Sequence, residues 1–285
     1  MKKIIGRLYI ALILVLMYLP VLMLVVYSFS TNAERIGEPY GEFGFKLFSD
    51  LFTGPNSGKI MIALGNTLLI ALISAFVATL LGTLGAVGAF YSKRRGRKAY
   101  DLMTQIPMVN AEIVIAFSLT VMFVFLGTYI FRAYLFSFWT LLIGHVVLAI
   151  PFVYTSVKPK LQQMDPSLYE AAIDLGASPM KALRKVILRE IMPGVLSGFL
   201  LSITLSLDDF IITAFTRGSG LLSGDGMIET LSTYVQAKIK KTSIPPELWA
   251  LTTLIFIAVI VAVVLVTIYK KSTENKEKVR KGRNY

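Results

Sequence analysis

The chain has no cysteine and only one histidine, His145. Without cysteine it cannot form disulfides, bind an iron–sulfur cluster or hold zinc through thiolates, and a single imidazole is too little for a metal site. Three motifs typical of enzymes are also absent: the Walker A sequence, His-Glu-x-x-His and Gly-x-Ser-x-Gly. We therefore expect no catalytic residue, no metal and no cofactor bound by this chain itself.

Charged residues are scarce as well, at 16% of 285 residues, whereas 55% are hydrophobic. This composition excludes an ordinary soluble domain and predicts an all-α polytopic membrane protein. Windows with few charges and near or above the ~20 residues that a spanning helix needs predict six transmembrane helices. The windows are 8–29, 61–91, 101–126, 133–157, 191–214 and 248–269. The fifth is the least secure, because its uncharged part ends at Leu207.

The basic residues indicate how these helices are oriented. With both termini in the cytoplasm, 21 of the 29 Lys and Arg residues lie on the inner side, as the positive-inside rule requires. We expect a multi-pass protein of the cytoplasmic (inner) membrane, with a transmembrane domain over residues 1–269 and a basic cytoplasmic tail over 270–285. The 158–190 loop then also faces the cytoplasm.

Two short helices are predicted within the 158–190 loop. Asp165 can cap a helix that opens at Pro166, and Gly176 can end it in a left-handed turn. Ser178 can cap a second helix that opens at Pro179. A helix pair of this kind, with polar ends, indicates a docking surface.

Four ionisable residues fall within or at the end of the predicted spans. Placing such a side chain inside the bilayer costs several kcal/mol, so each one suggests a structural or functional role. Glu112 and His145 are both expected near the midplane; they could pair with each other or line a translocation pathway. A polar stripe recurs at helical spacing along the fifth span and predicts a water-filled cavity. Asp208 lies about 100° from that stripe, so Asp209 is the stronger pathway candidate. The stripe consists of Ser202, Ser206, Asp209, Thr213 and Thr216.

The 158–190 loop resembles the EAA signature of ABC-importer permeases, in which Glu-Ala-Ala is followed by a glycine and then by Ile-x-Leu-Pro. Glu170, Ala171, Ala172, Gly176, Val186 and Leu188 match it, whereas Arg189 stands where proline is usual. The resemblance implies that the loop, called the coupling loop below, contacts a cytoplasmic ATPase. The residues implied in that contact are Glu170, Ala171, Ala172, Asp174, Gly176 and Ala177.

Three further segments, 107–114, 145–151 and 206–210, resemble permeases of the spermidine/putrescine (PotC-like) type. This resemblance implies a second permease (PotB-like), two ATPases (PotA-like) that bind the ATP, and an external polyamine-binding protein (PotD-like). The residues that we expect in the translocation pathway are Asn110, Glu112, His145, Ser202, Ser206, Asp208, Asp209 and Thr213. Two alternatives stay open: an ABC permease for iron, thiamine or phosphonate, and a secondary transporter driven by an ion gradient.

Overall fold

The computed structural model describes residues 2–31, 41–165, 167–219, 226–241, 245–261 and 264. Within these ranges the regular structure is helical, and the only β-type pairing is one antiparallel bridge between Ser30 and Phe43. The helices are α1 Lys2–Tyr27, α2 Lys46–Thr53, α3 Ser57–Tyr91, α4 Arg94–Val109, α5 Glu112–Phe125, α6 Phe138–Gln163, α7 Ser167–Asp174, α8 Pro179–Ala182, α9 Leu188–Asp208, α10 Ile211–Thr216, α11 Leu231–Lys241 and α12 Glu247–Val261. The structure also has two π-helical segments. Leu126–Phe131 extends α5, and Leu183–Ile187 directly precedes α9.

Five helical segments are long and apolar enough to cross a membrane: Gly6–Tyr27, Ser57–Tyr91, Glu112–Phe131, Phe138–Gln163 and Pro179–Asp208. The chain is therefore a multi-pass, all-helical protein. The sixth predicted window, 248–269, coincides with α12, which is shorter than a span within the described residues. The described part of the chain thus contains five candidate spans, and the predicted tail 270–285 lies outside it.

Two predicted spans are interrupted in the structure. The 101–126 window is divided at Asn110 and Ala111, both with extended backbone, into α4 and α5. The 191–214 window is divided at Asp209, also extended, into α9 and α10. Both expectations of a continuous helix are corrected here, because hydropathy detects apolar composition and is insensitive to one or two non-helical residues inside an apolar run.

Helix α6 lies at the centre of the compact unit formed by residues 62–236. Its buried residues Val153 and Val157 pack with Ile187 and Ile191 in one apolar core. A Cβ placed on Gly198 of α9 would lie 3.1 Å from the Val153 Cα. The two backbones therefore approach closely, as small residues allow between membrane helices.

An ion pair joins α4 to the C-terminal part of α6. Lys158 Nζ donates to Asp101 Oδ1 over 2.6 Å, and the Tyr154 hydroxyl donates to the same oxygen. Partial burial raises the pKa of Asp101, but these hydrogen bonds and the charges of Lys158 and Arg97 outweigh it and hold the pKa below its ordinary value. The carboxylate therefore stays charged at neutral pH and helps to fix the orientation of α4.

The second compact unit comprises residues 1–61 and 237–285. In its described part, Leu47 of α2 packs with Trp249 and Ala250 of α12, and Tyr27 of α1 contacts the Trp249 ring edge to face. Asn56 Nδ2 donates to Glu247 Oε1 over 3.3 Å. These contacts hold the described ends of α1, α2 and α12 together.

Candidate functional site

The coupling loop folds as its capping residues predict. Asp165 Oδ1 accepts from the Ser167 amide over 2.9 Å at the start of α7, and this backbone hydrogen bond, followed by one from the Ser167 hydroxyl, lowers the pKa of Asp165. Gly176 has a left-handed φ of 82°, and the Ala177 amide donates to Ala172 O over 3.0 Å. This hydrogen bond closes the turn that ends α7. Ser178 Oγ then accepts from the Lys181 amide at the start of α8.

The outer surface of this loop is exposed while its inner surface is anchored. Glu170, Ala171 and Asp174 are exposed, and Leu175, at the bend beside Gly176, is 89% exposed. Among the large apolar side chains of the described residues, Leu175 is the most exposed. It was not among the residues predicted from the sequence, although its position directly before the left-handed glycine could have indicated it.

The anchoring contacts involve Tyr169, whose ring lies 5.8 Å from the Tyr91 ring at the end of α3. A groove of about 260 Å³ separates α3 from the two short helices of the loop. Its lining is apolar and aromatic: Val87, Tyr91, Tyr169, Pro179, Met180, Leu183 and Ile187. The loop is thus packed onto the ends of the membrane helices, so its position depends on theirs.

A buried polar cluster lies where α9 ends and α10 begins. Asp209 is 4% exposed, and its Oδ1 and Oδ2 accept from the Ile212 and Thr213 amides over 3.1 and 2.8 Å. An aspartate in this position satisfies amides at a helix start that would otherwise lack partners. The side chain therefore caps α10 and, with its extended backbone, causes the break in the predicted span. The polar cluster comprises Ser74, His145, Ser206, Asp209 and Thr213.

His145, 1% exposed, connects the members of this cluster. Ser206 Oγ lies 2.8 Å from His145 Nδ1, and Thr213 Oγ1 lies 3.0 Å from Nε2. Because Thr213 Oγ1 donates to Asp209 Oδ2 over 2.9 Å, it is free to accept from Nε2–H. One pattern that gives every member a partner has Ser206 donating to Nδ1 and the imidazole proton on Nε2. His145 Nε2 also lies 3.6 Å from Asp209 Oδ2, so a protonated imidazole would form an ion pair there.

Glu112 and Asp208, together called the acidic surface below, lie outside the buried polar cluster. Asp208 is exposed at the last residue of α9, and Glu112 is half-buried in the first turn of α5. Glu112 lies within electrostatic range of both Asp208 and Asp209. Helix α5 packs on α10, where Thr120 Oγ1 donates to Phe215 O over 3.0 Å. The two interrupted spans therefore lie side by side.

The structure divides the predicted pathway residues into groups. His145, Ser206, Asp209 and Thr213 meet in the polar cluster, together with Ser74, which sequence analysis did not select. The possible pairing of Glu112 with His145 is not formed, because both imidazole nitrogens are bonded within the cluster. Ser202 and Thr216 are buried and donate to carbonyls of their own helices. Asn110, Glu112 and Asp208 are at least partly exposed.

Comparison with known proteins points to one family. A model described as "binding-protein-dependent transport system inner membrane component" matches residues 78–275. The chain is 35% identical over 248 residues to the spermidine/putrescine transport system permease protein PotC of Escherichia coli (strain K12), covering 87% of each. It is 34% identical over 249 residues to PotC of Haemophilus influenzae, covering 87% of this chain and 90% of that one. It is 33% identical over 244 residues to the putrescine transport system permease protein PotI of E. coli (strain K12), covering 85% and 82%.

Solved structures with the same fold include a bacterial ABC transporter involved in the import of the acidic polysaccharide alginate. The TM-score is 0.65 at 14% identity, over 95% of both chains. An amino acid ABC transporter matches with a TM-score of 0.52 at 15% identity, over 78% of this chain and 97% of that one. At these identities the likeness shows the fold alone.

Proposed function

The chain belongs to the family of binding-protein-dependent transport system inner membrane components, and from this premise we propose that it is a permease subunit of an ATP-driven importer of polyamines. Two kinds of permease to which it is more than 30% identical carry spermidine or putrescine in their names. In this role the chain forms part of the translocation pathway and catalyses no reaction itself. ATP is bound and hydrolysed by partner subunits.

The observation that carries this proposal is the juxtaposition of the two helix breaks. Non-helical backbone at membrane depth is tolerated where it is buried in protein or lines a water-filled cavity, and interrupted helices commonly form substrate sites in transporters. Glu112 directly follows the α4–α5 break and Asp208 directly precedes the α9–α10 break, and both side chains are at least partly exposed. Carboxylates at a break suit a cargo that carries several ammonium groups, because opposite charges attract strongly in a partly desolvated site.

In this proposal the polar cluster has a structural role. Asp209, His145, Ser206 and Thr213 were all expected in the pathway, and all four are buried. In this proposal the cargo contacts Glu112 and Asp208 instead. The role of the four buried residues is to hold the α9–α10 break in place. Asn110, at the α4–α5 break, is exposed, so in this proposal it also lies where cargo can reach it.

The proposed complex contains a second permease, two ATPases and an external polyamine-binding protein. The coupling loop, with its exposed Glu170, Ala171 and Asp174, is the ATPase contact. The excess of basic residues on one side supports placing this loop and both termini in the cytoplasm.

A test of the cargo uses the assembled complex in proteoliposomes, with and without the binding protein. We expect spermidine or putrescine to stimulate ATP hydrolysis only when the binding protein is present, because the outer loops in the expected topology are too short to form a two-lobed receptor. Thiamine, ferric iron and phosphonates serve as alternative cargoes. Stimulation by one of them, or uptake by this chain alone on an ion gradient, would contradict the proposal.

The acidic surface predicts a specific loss of transport. Replacing Glu112→Gln together with Asp208→Asn removes two charges from side chains that cargo can reach. A charge-assisted hydrogen bond contributes about 1.5–3 kcal/mol, so we expect polyamine uptake to fall by about tenfold or more. The measurement is the initial rate of spermidine uptake at equal complex yield.

The control for this double variant is Glu42→Gln, which removes an exposed charge before α2. Its uptake should equal that of the wild type. An unchanged rate in the Glu112→Gln, Asp208→Asn variant would show that these carboxylates do not contact the cargo.

A further inference from the structure

A groove rich in positive charge lies where α9 begins. Its volume is about 630 Å³, and it is lined by Arg184, Lys185, Leu188, Arg189 and Met192. Within the described ranges, none of its three cations forms an ion pair. The neighbouring Glu190 lies about 100° farther around the helix from Arg189 and is not part of the lining. The groove therefore concentrates positive charge without an internal counter-ion.

An apolar row continues from the groove along the same face of α9. Met192, Leu196 and Leu200 recur at every fourth residue and are all exposed, whereas Ile191 and Gly198 are buried against the core. The distance along the helix from Arg189 to Leu200 is about 17 Å at 1.5 Å per residue. This length is close to half of the ~30 Å hydrocarbon core of a bilayer.

The positively charged groove matches the headgroup of an anionic phospholipid. The apolar row, about one leaflet long, matches its acyl chain. We propose that this face of α9 binds one anionic phospholipid of the cytoplasmic leaflet. Its phosphate is held by Arg184, Lys185 and Arg189, and one acyl chain lies along Met192, Leu196 and Leu200. Three cations favour a lipid with net negative charge over a zwitterionic one, because each basic residue near an anionic headgroup adds to the attraction.

The site lies directly after the coupling loop, with the π-helical segment Leu183–Ile187 at its start. Arg189, which stands where related permeases usually have proline, supplies one of the three charges. Bound lipid would therefore fix the end of the loop to the membrane surface. The inference rests on the proposed function only in assigning this end of α9 to the cytoplasmic leaflet.

The test is native mass spectrometry of the assembled, detergent-purified transporter titrated with phosphatidylglycerol or with phosphatidylcholine of the same chain length. We expect tight retention of one phosphatidylglycerol per copy of this chain. The triple variant R184Q/K185Q/R189Q should lose it, with an affinity loss of about fivefold for each cation removed, or about 100-fold together. A phosphatidylglycerol with short acyl chains should bind the wild type more weakly, because it leaves the apolar row uncovered.

A control with equal charge change is K93Q/R94Q/R95Q, which removes three exposed cations before and at the start of α4. This variant should keep the lipid. Equal loss in both triple variants would mean that only the general surface potential attracts lipid, and the site would be rejected. If the triple variant does not assemble, R189Q alone should still show the fivefold loss.

Two other results would also overturn the inference. If R184Q/K185Q/R189Q retains phosphatidylglycerol but loses the ATPase, the groove is part of the ATPase contact. If it retains the lipid but loses the second permease, the face is a subunit interface. Lipid retention is measured without cargo, so a failed polyamine assay leaves this result unaffected.

Discussion

Gly176→Val is expected to reduce polyamine-stimulated ATP hydrolysis and uptake by at least about tenfold while leaving complex yield unchanged. The φ of Gly176 is 82°, and a Cβ built there meets nothing within 4 Å. The substitution therefore causes no clash with neighbouring atoms, and its effect comes from the backbone. A left-handed conformation costs a residue with a side chain about 1–2 kcal/mol, and more for a β-branched one. The turn would reopen and displace Leu175.

The control for this prediction is Gly176→Asn, because asparagine tolerates the left-handed region. The Asn variant should retain most of the stimulated hydrolysis. Equal loss in both variants would mean that the added side chain itself blocks the contact. Wild-type activity in the Val variant would show that the coupling loop is not part of the ATPase interface.

Asp209→Ala is expected to cause the largest loss of assembled complex among single substitutions at the polar cluster. The change leaves the buried Ile212 and Thr213 amides and the Thr213 hydroxyl without their acceptor. Each unsatisfied buried group costs about 1–3 kcal/mol, and the total is a large part of a typical folding stability of about 5–15 kcal/mol. Complex yield after size-exclusion chromatography and the thermal unfolding midpoint measure the effect.

Its control is the neighbouring exposed residue, since Asp208→Ala should leave both yield and the unfolding midpoint unchanged. Asp209→Asn, which keeps one acceptor oxygen, should fall between the two. If Asp209→Ala assembles normally but fails to transport, the interpretation from sequence, in which Asp209 lines the pathway, would be the correct one.

These two predictions also show what could be known from the sequence. The turn at Gly176 and the caps at Asp165 and Ser178 could be predicted because they depend on residues within a few positions of each other. The helical spacing of Ser202 and Ser206 was also sufficient to place them on one face, which the structure buries.

The role of Asp209 could not be predicted in the same way. Its position on the polar stripe assumed that the helix continues, whereas its carboxylate binds the amides that follow and ends that helix. The decisive contact, His145 with Ser206 and Thr213, joins residues more than sixty positions apart. Such a contact depends on how α6 packs against α9 and α10. The acidic surface depends likewise on the packing of α5 against α10.

The close contact of α6 with α9 has a mechanical consequence. The coupling loop joins the end of α6 to the start of α9, and Gly198 lets the two helices lie too near each other for independent sliding. In the proposed function, a push on the loop would therefore move the two helices together as one rigid body. Its far end, about 31 Å away along the 21 residues of α9, carries the Asp209 break and the acidic surface. In the proposed function, a small tilt imposed at the loop would thereby reach the two helix breaks as a displacement.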